Sequence, residues 1–154
     1  ATVLGVYLAS TQGFKQALAF GDIQSARSNY YLRKSLQSEL SDNIPLVRAY
    51  MKKLETGGIP ARKEGLTLDT FVWESMKNSS ATLETPSELL RESRIFYRSV
   101  NDIQAKVVNN TYGVTQANKL LQEIVDRMEK EVLPKFESNT LEIKEWLSKK
   151  DVEV

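Results

Sequence analysis

From Leu32 onward, apolar side chains recur every three or four residues: Leu32, Leu36, Leu40, Val47, Met51 and Leu54, with Asn43 on the same line. That spacing lays one stripe along a helix. It predicts a long first helix that stops at Thr56-Gly57-Gly58-Ile59-Pro60, followed by a loop to Gly65. The charges Arg33, Lys34, Glu39, Arg48 and Lys52 lie mostly off the stripe. Pro45 removes a backbone donor and crowds the preceding turn, so a kink or a division is expected there. Gly13 and Gly21 weaken the earlier part. Because this helix is longer than its partners, residues 1–28 are read as a projecting or anchor-proximal segment.

A short helix is expected from Thr67, with Asp69 in its first turn and Phe71, Val72, Trp73 and Met76 as a dense apolar face. Asn78-Ser79-Ser80 ends it. Thr85-Pro86-Ser87-Glu88 reads as a capping box with proline at the first helical position. Leu89, Phe96, Val100, Ile103 and Val107 then trace a stripe to about Asn110, widened by Ile95 and Tyr97. After the break at Tyr112-Gly113, a helix from Thr115 presents Ala117, Leu121, Ile124, Met128 and Val132. Pro134 is expected to kink it, and Phe136, Leu141, Ile143, Trp146 and Leu147 continue it or form a fifth helix. Strand-like alternation is nowhere sustained. The pattern predicts an all-α fold: an antiparallel helical bundle of four to five helices with a long first helix, in one domain spanning residues 1–154.

Composition narrows the chemistry. The 154 residues include no histidine and no cysteine. That excludes Cys/His metal clusters, Cys–His and Ser-His-Asp nucleophiles, and disulfides. A di-iron bundle also needs histidine, so the pairs Glu88/Glu92 and Glu123/Asp126 are read as lying on a wet face. Phosphate-loop and dinucleotide spacings are missing around Gly57-Gly58 and Gly113. No enzyme, cofactor or metal is expected. A net charge of +1 gives no bulk drive toward nucleic acid, and none is expected as a partner. The charge is uneven: nine Lys/Arg against five Asp/Glu in residues 1–66, and twelve against fifteen in residues 67–154.

Two groups of residues are candidates for function. Tyr30 and Tyr31, beside Arg27, Arg33 and Lys34, resemble a partner-binding patch, set against the alternative of an amphipathic helix surface with tyrosine at its margin. Trp73 and Tyr97 are candidates for a ligand pocket between helices, whereas core packing is the favoured role of Phe71, Trp73, Tyr97 and Trp146. Asn43 is read as bonding across the bundle rather than as setting register. The run Ala1–Ala9 is apolar and uncharged, but far short of the roughly 20 residues that span a bilayer. It reads as the remnant of an anchor or as a buried helix start.

Three segments carry a resemblance: Leu36-Gln-Ser-Glu39-Leu40-Ser-Asp-Asn43, Leu68 through Trp73-Glu74-Ser-Met-Lys77, and Pro86-Ser-Glu88-Leu89-Leu90 through Tyr97. Together they resemble small uncharacterised prokaryotic proteins with an N-terminal membrane anchor followed by a helical-bundle domain. The resemblance implies a membrane-associated setting through an anchor missing from these residues, and it implies no catalytic residues. The expected function is a non-catalytic binding or scaffolding domain near a membrane, engaging a protein partner or itself. The alternative is a sensor-type bundle that binds a small molecule between helices. Which face of the membrane it occupies stays open, with Lys15, Arg27, Arg33 and Lys34 leaning toward the cytoplasmic side.

Overall fold

The computed structural model describes the backbone of residues 2–154 and the side chains of residues 12–154. It has the all-α bundle architecture with a long first helix. Helix α1 runs from Thr2 to Thr56, and at 1.5 Å per residue its 55 residues extend about 80 Å. Three short helices follow: α2 (Gly58–Glu64), α3 (Phe71–Met76) and α4 (Ala81–Glu84). The chain then forms α5 (Ser87–Val108), α6 (Val114–Arg127), a π-helical turn at Met128–Val132 and α7 (Leu133–Ser148).

Contacts along α1 give the directions of these rods. Asn118 of α6 reaches Met51 and Glu55, Glu129 pairs with Arg48, and Asn139 of α7 meets Arg33. The α6–α7 rod therefore runs antiparallel to α1. Helix α5 runs alongside α1 in the same direction, because α2–α4 return the chain past α1 before α5 begins. Glu84 at the end of that return touches Ser25, and Tyr97 lies beside Glu39. Leu36, Leu40, Val47 and Leu54 of α1 close on Phe96, Val100 and Val107 of α5, and on Leu121, Val125 and Phe136 of α6 and α7, forming one core.

Local expectations fare unevenly. Pro45 neither divides α1 nor ends it; it is exposed and sits inside a continuous helix, where one lost hydrogen bond is outweighed by core contacts on both sides. The loop expected after Thr56 holds α2. It opens at Gly58, whose φ of +59° breaks the direction of α1 at a residue without the Cβ penalty. Helix α3 starts at Phe71 rather than Thr67. The capping box does not form. Pro86 stands just ahead of α5, and the Thr85 hydroxyl donates instead to the Ala81 carbonyl at 3.0 Å. At Pro134 the helix is interrupted by the π turn at Met128–Val132, which leaves the proline in the first turn of α7, where its missing donor costs little.

Three burial expectations are corrected. Phe71 is 82% exposed, because α3 turns Met76 and not Phe71 toward the core. Trp146 is also exposed, at the free end of α7. Glu92 is buried rather than wet, and lies against Arg127 at 2.7 Å and Arg91 at 3.2 Å. The reading of Ala1–Ala9 as an anchor remnant or buried helix start concerns side chains outside the described residues.

Candidate functional site

The side of α1 that faces the bundle does not stop where the bundle stops. Stepping back from Leu36 by three or four residues reaches Leu32, packed on the core, and then Asn29 and Ser25, both bonded to Glu84 of α4. A further seven residues reaches Leu18, and four more reach Phe14, on the same side of the helix. There the stripe has lost its cover. Residues 12–22 are exposed all round, and Phe14 and Leu18 keep 66% and 54% of their surface. The antiparallel rod ends beside this point, since Trp146 of α7 shares a small cleft with Ala26 and Asn29. A cationic Lys15 and an anionic Asp22 flank the stripe on one side, seven residues apart. Cβ atoms at Gly13 and Gly21 would meet nothing within 4 Å.

Where the arm enters the bundle, a polar knot fastens it. Arg33 is 7% exposed and donates to Asn139 Oδ1 at 2.8 Å, to the Glu84 carbonyl at 2.5 Å and to Asn29 Oδ1 at 3.4 Å. The Glu84 carboxylate in turn accepts from Ser25 Oγ at 2.7 Å and from Asn29 Nδ2 at 2.6 Å. Burial lowers the Arg33 pKa, and the nearby Glu84 opposes the shift. A buried guanidinium with hydrogen-bond partners on two other helices fixes how α4 and α7 sit on α1.

The predicted partner patch therefore splits. Arg33 is inside the knot, turned inward by its position one turn from Leu36. Arg27, Tyr31 and Lys34 are exposed and Tyr30 is half-buried. Tyr30 and Tyr31 meet edge to face with centroids 5.4 Å apart, and the Arg27 guanidinium lies 6.0 Å from the Tyr31 ring centre. That leaves a small aromatic and cationic ledge at the base of the arm.

The two predicted pocket residues do meet. Trp73 stacks on Tyr97 with centroids 5.5 Å apart and planes 25° from parallel. Their roles differ, however. Tyr97 is buried and donates its hydroxyl to Glu39 Oε1 at 2.7 Å, whereas half-buried Trp73 forms one wall of an open cleft of about 340 Å³. Glu39 also accepts from the backbone N–H groups of Val72 at 2.5 Å and Trp73 at 3.0 Å, so a carboxylate of α1 caps the first turn of α3. Asn43 bonds across the bundle: its amide donates to the Asp69 carbonyl at 2.7 Å and accepts from the Asp69 N–H at 2.8 Å.

Burial, and then the bond to Glu39, push the Tyr97 phenol well above its ordinary pKa; burial does the same to Tyr50. The fold thus favours the protonated phenols. The unfolded chain releases these protons near pH 10, while the folded chain retains them. Their contribution is present below that pH and is lost as pH rises above it. Urea melts between pH 8 and 11 should show stability falling from about pH 10, with a shallower fall in Tyr97→Phe.

Sequence reasoning missed Glu39, Ser25, Asn29, Glu84 and Asn139. Glu39 stands three residues from Leu36, which is the spacing of the stripe itself. That signal was legible. Glu84 and Asn139 reach α1 only through the tertiary path and left no local sign. No protein-family model, curated protein or solved structure matches this chain. Among the described residues, no helix is long and apolar enough to cross a membrane.

Proposed function

We propose that this chain is a non-catalytic scaffolding domain that assembles with a second copy of itself through the arm of α1. The observation that carries the reading is the uncovered continuation of the bundle-facing stripe through Leu18 and Phe14. Large apolar side chains in a row beyond the last covering helix lose free energy to water that a partner helix would recover.

Charge selects the orientation. Lys15 and Asp22 lie on one flank of the stripe, so two arms crossing antiparallel near Leu18 bring each Lys15 beside the partner's Asp22. A parallel pair would put the two charged flanks on opposite sides of the seam, so no Lys15 would meet an Asp22. Gly21, about 60° from Leu18 around the helix, leaves room for close approach. A steeply crossed pair, as in the common class near −50°, takes the partner arm clear of α7.

Charge exchange tests this. Lys15→Asp and Asp22→Lys should each weaken dimerisation by about 3- to 10-fold, from the scale of exposed ion pairs. The double variant Lys15→Asp/Asp22→Lys should restore it, read by sedimentation velocity across a dilution series at low salt. Single variants that dimerise like the parent, or a double variant as weak as either single, would overturn the antiparallel pairing.

A further inference from the structure

The cleft beside Trp73 is a second feature, independent of the arm. Trp73 and Met76 of α3, and Lys77 just past its end, follow at spacings of three and four and line one side of the cleft. Leu90, Arg91 and Arg94 do the same from α5. Trp73, Met76 and Leu90 give the cleft its apolar lining, the floor, and Lys77, Arg91 and Arg94 line it with cations. No carboxylate lines the cleft. Lys77 pairs with Glu74 and Arg91 with Glu92 from outside it, while Arg94 has no ion-pair or hydrogen-bond partner among the described residues. The floor is held from behind: Trp73 stacks on buried Tyr97, and Glu39 fixes the first turn of α3.

An apolar floor under cations of one sign fits an occupant with an apolar body and an anionic head. A volume of about 340 Å³ falls at the small end of the range for ligand sites, which suits a single chain rather than a two-chain lipid. We infer that this cleft binds a soluble single-chain carboxylate, with its chain on Trp73, Met76 and Leu90 and its carboxylate held by Arg94 and Arg91. The guanidinium groups match a carboxylate in shape as well as charge. The stack of Trp73 on Tyr97 keeps the floor flat enough to receive the chain.

The test uses the full chain and decanoate below its micelle-forming concentration, followed by calorimetry and by Trp73 fluorescence in a Trp146→Phe background. Decanoate should saturate one site per chain. Decanol and decyltrimethylammonium should bind at least about tenfold more weakly, and Arg94→Gln should weaken decanoate by about 10- to 100-fold, the range for a charge-assisted bond. The arm variant Phe14→Gln/Leu18→Gln should bind decanoate as the parent does, which separates the cleft from the assembly surface. No saturable binding, equal binding of decyltrimethylammonium, or unchanged binding in Arg91→Gln/Arg94→Gln would overturn the inference. So would binding to phosphatidylglycerol vesicles without binding to decanoate, which would assign the cations to a membrane surface.

Discussion

Glu39→Ala is expected to lower the unfolding free energy by about 2–4 kcal/mol, the range for a buried charged acceptor whose donors are left unpaired. Three donors lose their acceptor at once: the Val72 and Trp73 N–H groups and the Tyr97 hydroxyl. The hydroxyl keeps only a long contact of 3.5 Å with Asn43 Nδ2, which cannot accept from it. Water can reach the start of α3 more easily than it can reach Tyr97, so the phenol carries most of the cost. For a chain of this size the change corresponds to about 5–15 °C in Tm. Tyr97→Phe removes one donor and leaves Glu39 with two, and should cost about 1 kcal/mol. Urea melts followed by circular dichroism check both. A Glu39→Ala loss no larger than that of Tyr97→Phe would show that the carboxylate is not what holds α3 to α1.

The second large effect concerns association. Phe14→Gln/Leu18→Gln is expected to weaken the dimer by at least about 100-fold, because four apolar side chains leave the interface and each is worth about 1 kcal/mol or more on burial. Both residues are exposed in the single chain, so its folding stability should stay within about 0.5 kcal/mol of the parent. Phe20 provides the control. It is 63% exposed, yet lies about 120° or more around the helix from Phe14 and about 160° from Leu18. Phe20→Gln should therefore leave the dimer nearly intact. If Phe20→Gln is as damaging as the double variant, general stickiness of the arm explains the association and the stripe does not.

Periodicity made most of the bundle legible. Leu36, Leu40, Val47 and Leu54 declared the buried side of α1, and Leu89 to Val107 declared that of α5, because a helix facing one core must repeat near every 3.6 residues. What escaped was decided by partners distant in sequence. Helices α2 and α4 are too short for periodicity to register, and α4 is held by Glu84 reaching Ser25 and Asn29. Thr85 satisfied the pattern of a capping box, but its hydroxyl found the Ala81 carbonyl first. Of the candidate sites, the pairing of Trp73 with Tyr97 was legible, since both lie on apolar helix faces. Burial of Arg33 was not, because a cation beside a stripe reads as solvated until Asn139 and Glu84 are seen to surround it. The length of α1 was legible. Its uncovered stripe became apparent only once the end of α7 was placed beside Ala26.

Sedimentation equilibrium on the full chain, from about 1 to 100 μM, tests the central claim most directly, since that range brackets the micromolar affinity expected of a short helical contact. Twice the chain mass of 17.5 kDa should appear at the upper end and dissociate on dilution, while Phe14→Gln/Leu18→Gln stays at the single-chain mass throughout. A parent chain that remains at the single-chain mass over the whole range would contradict assembly through the arm.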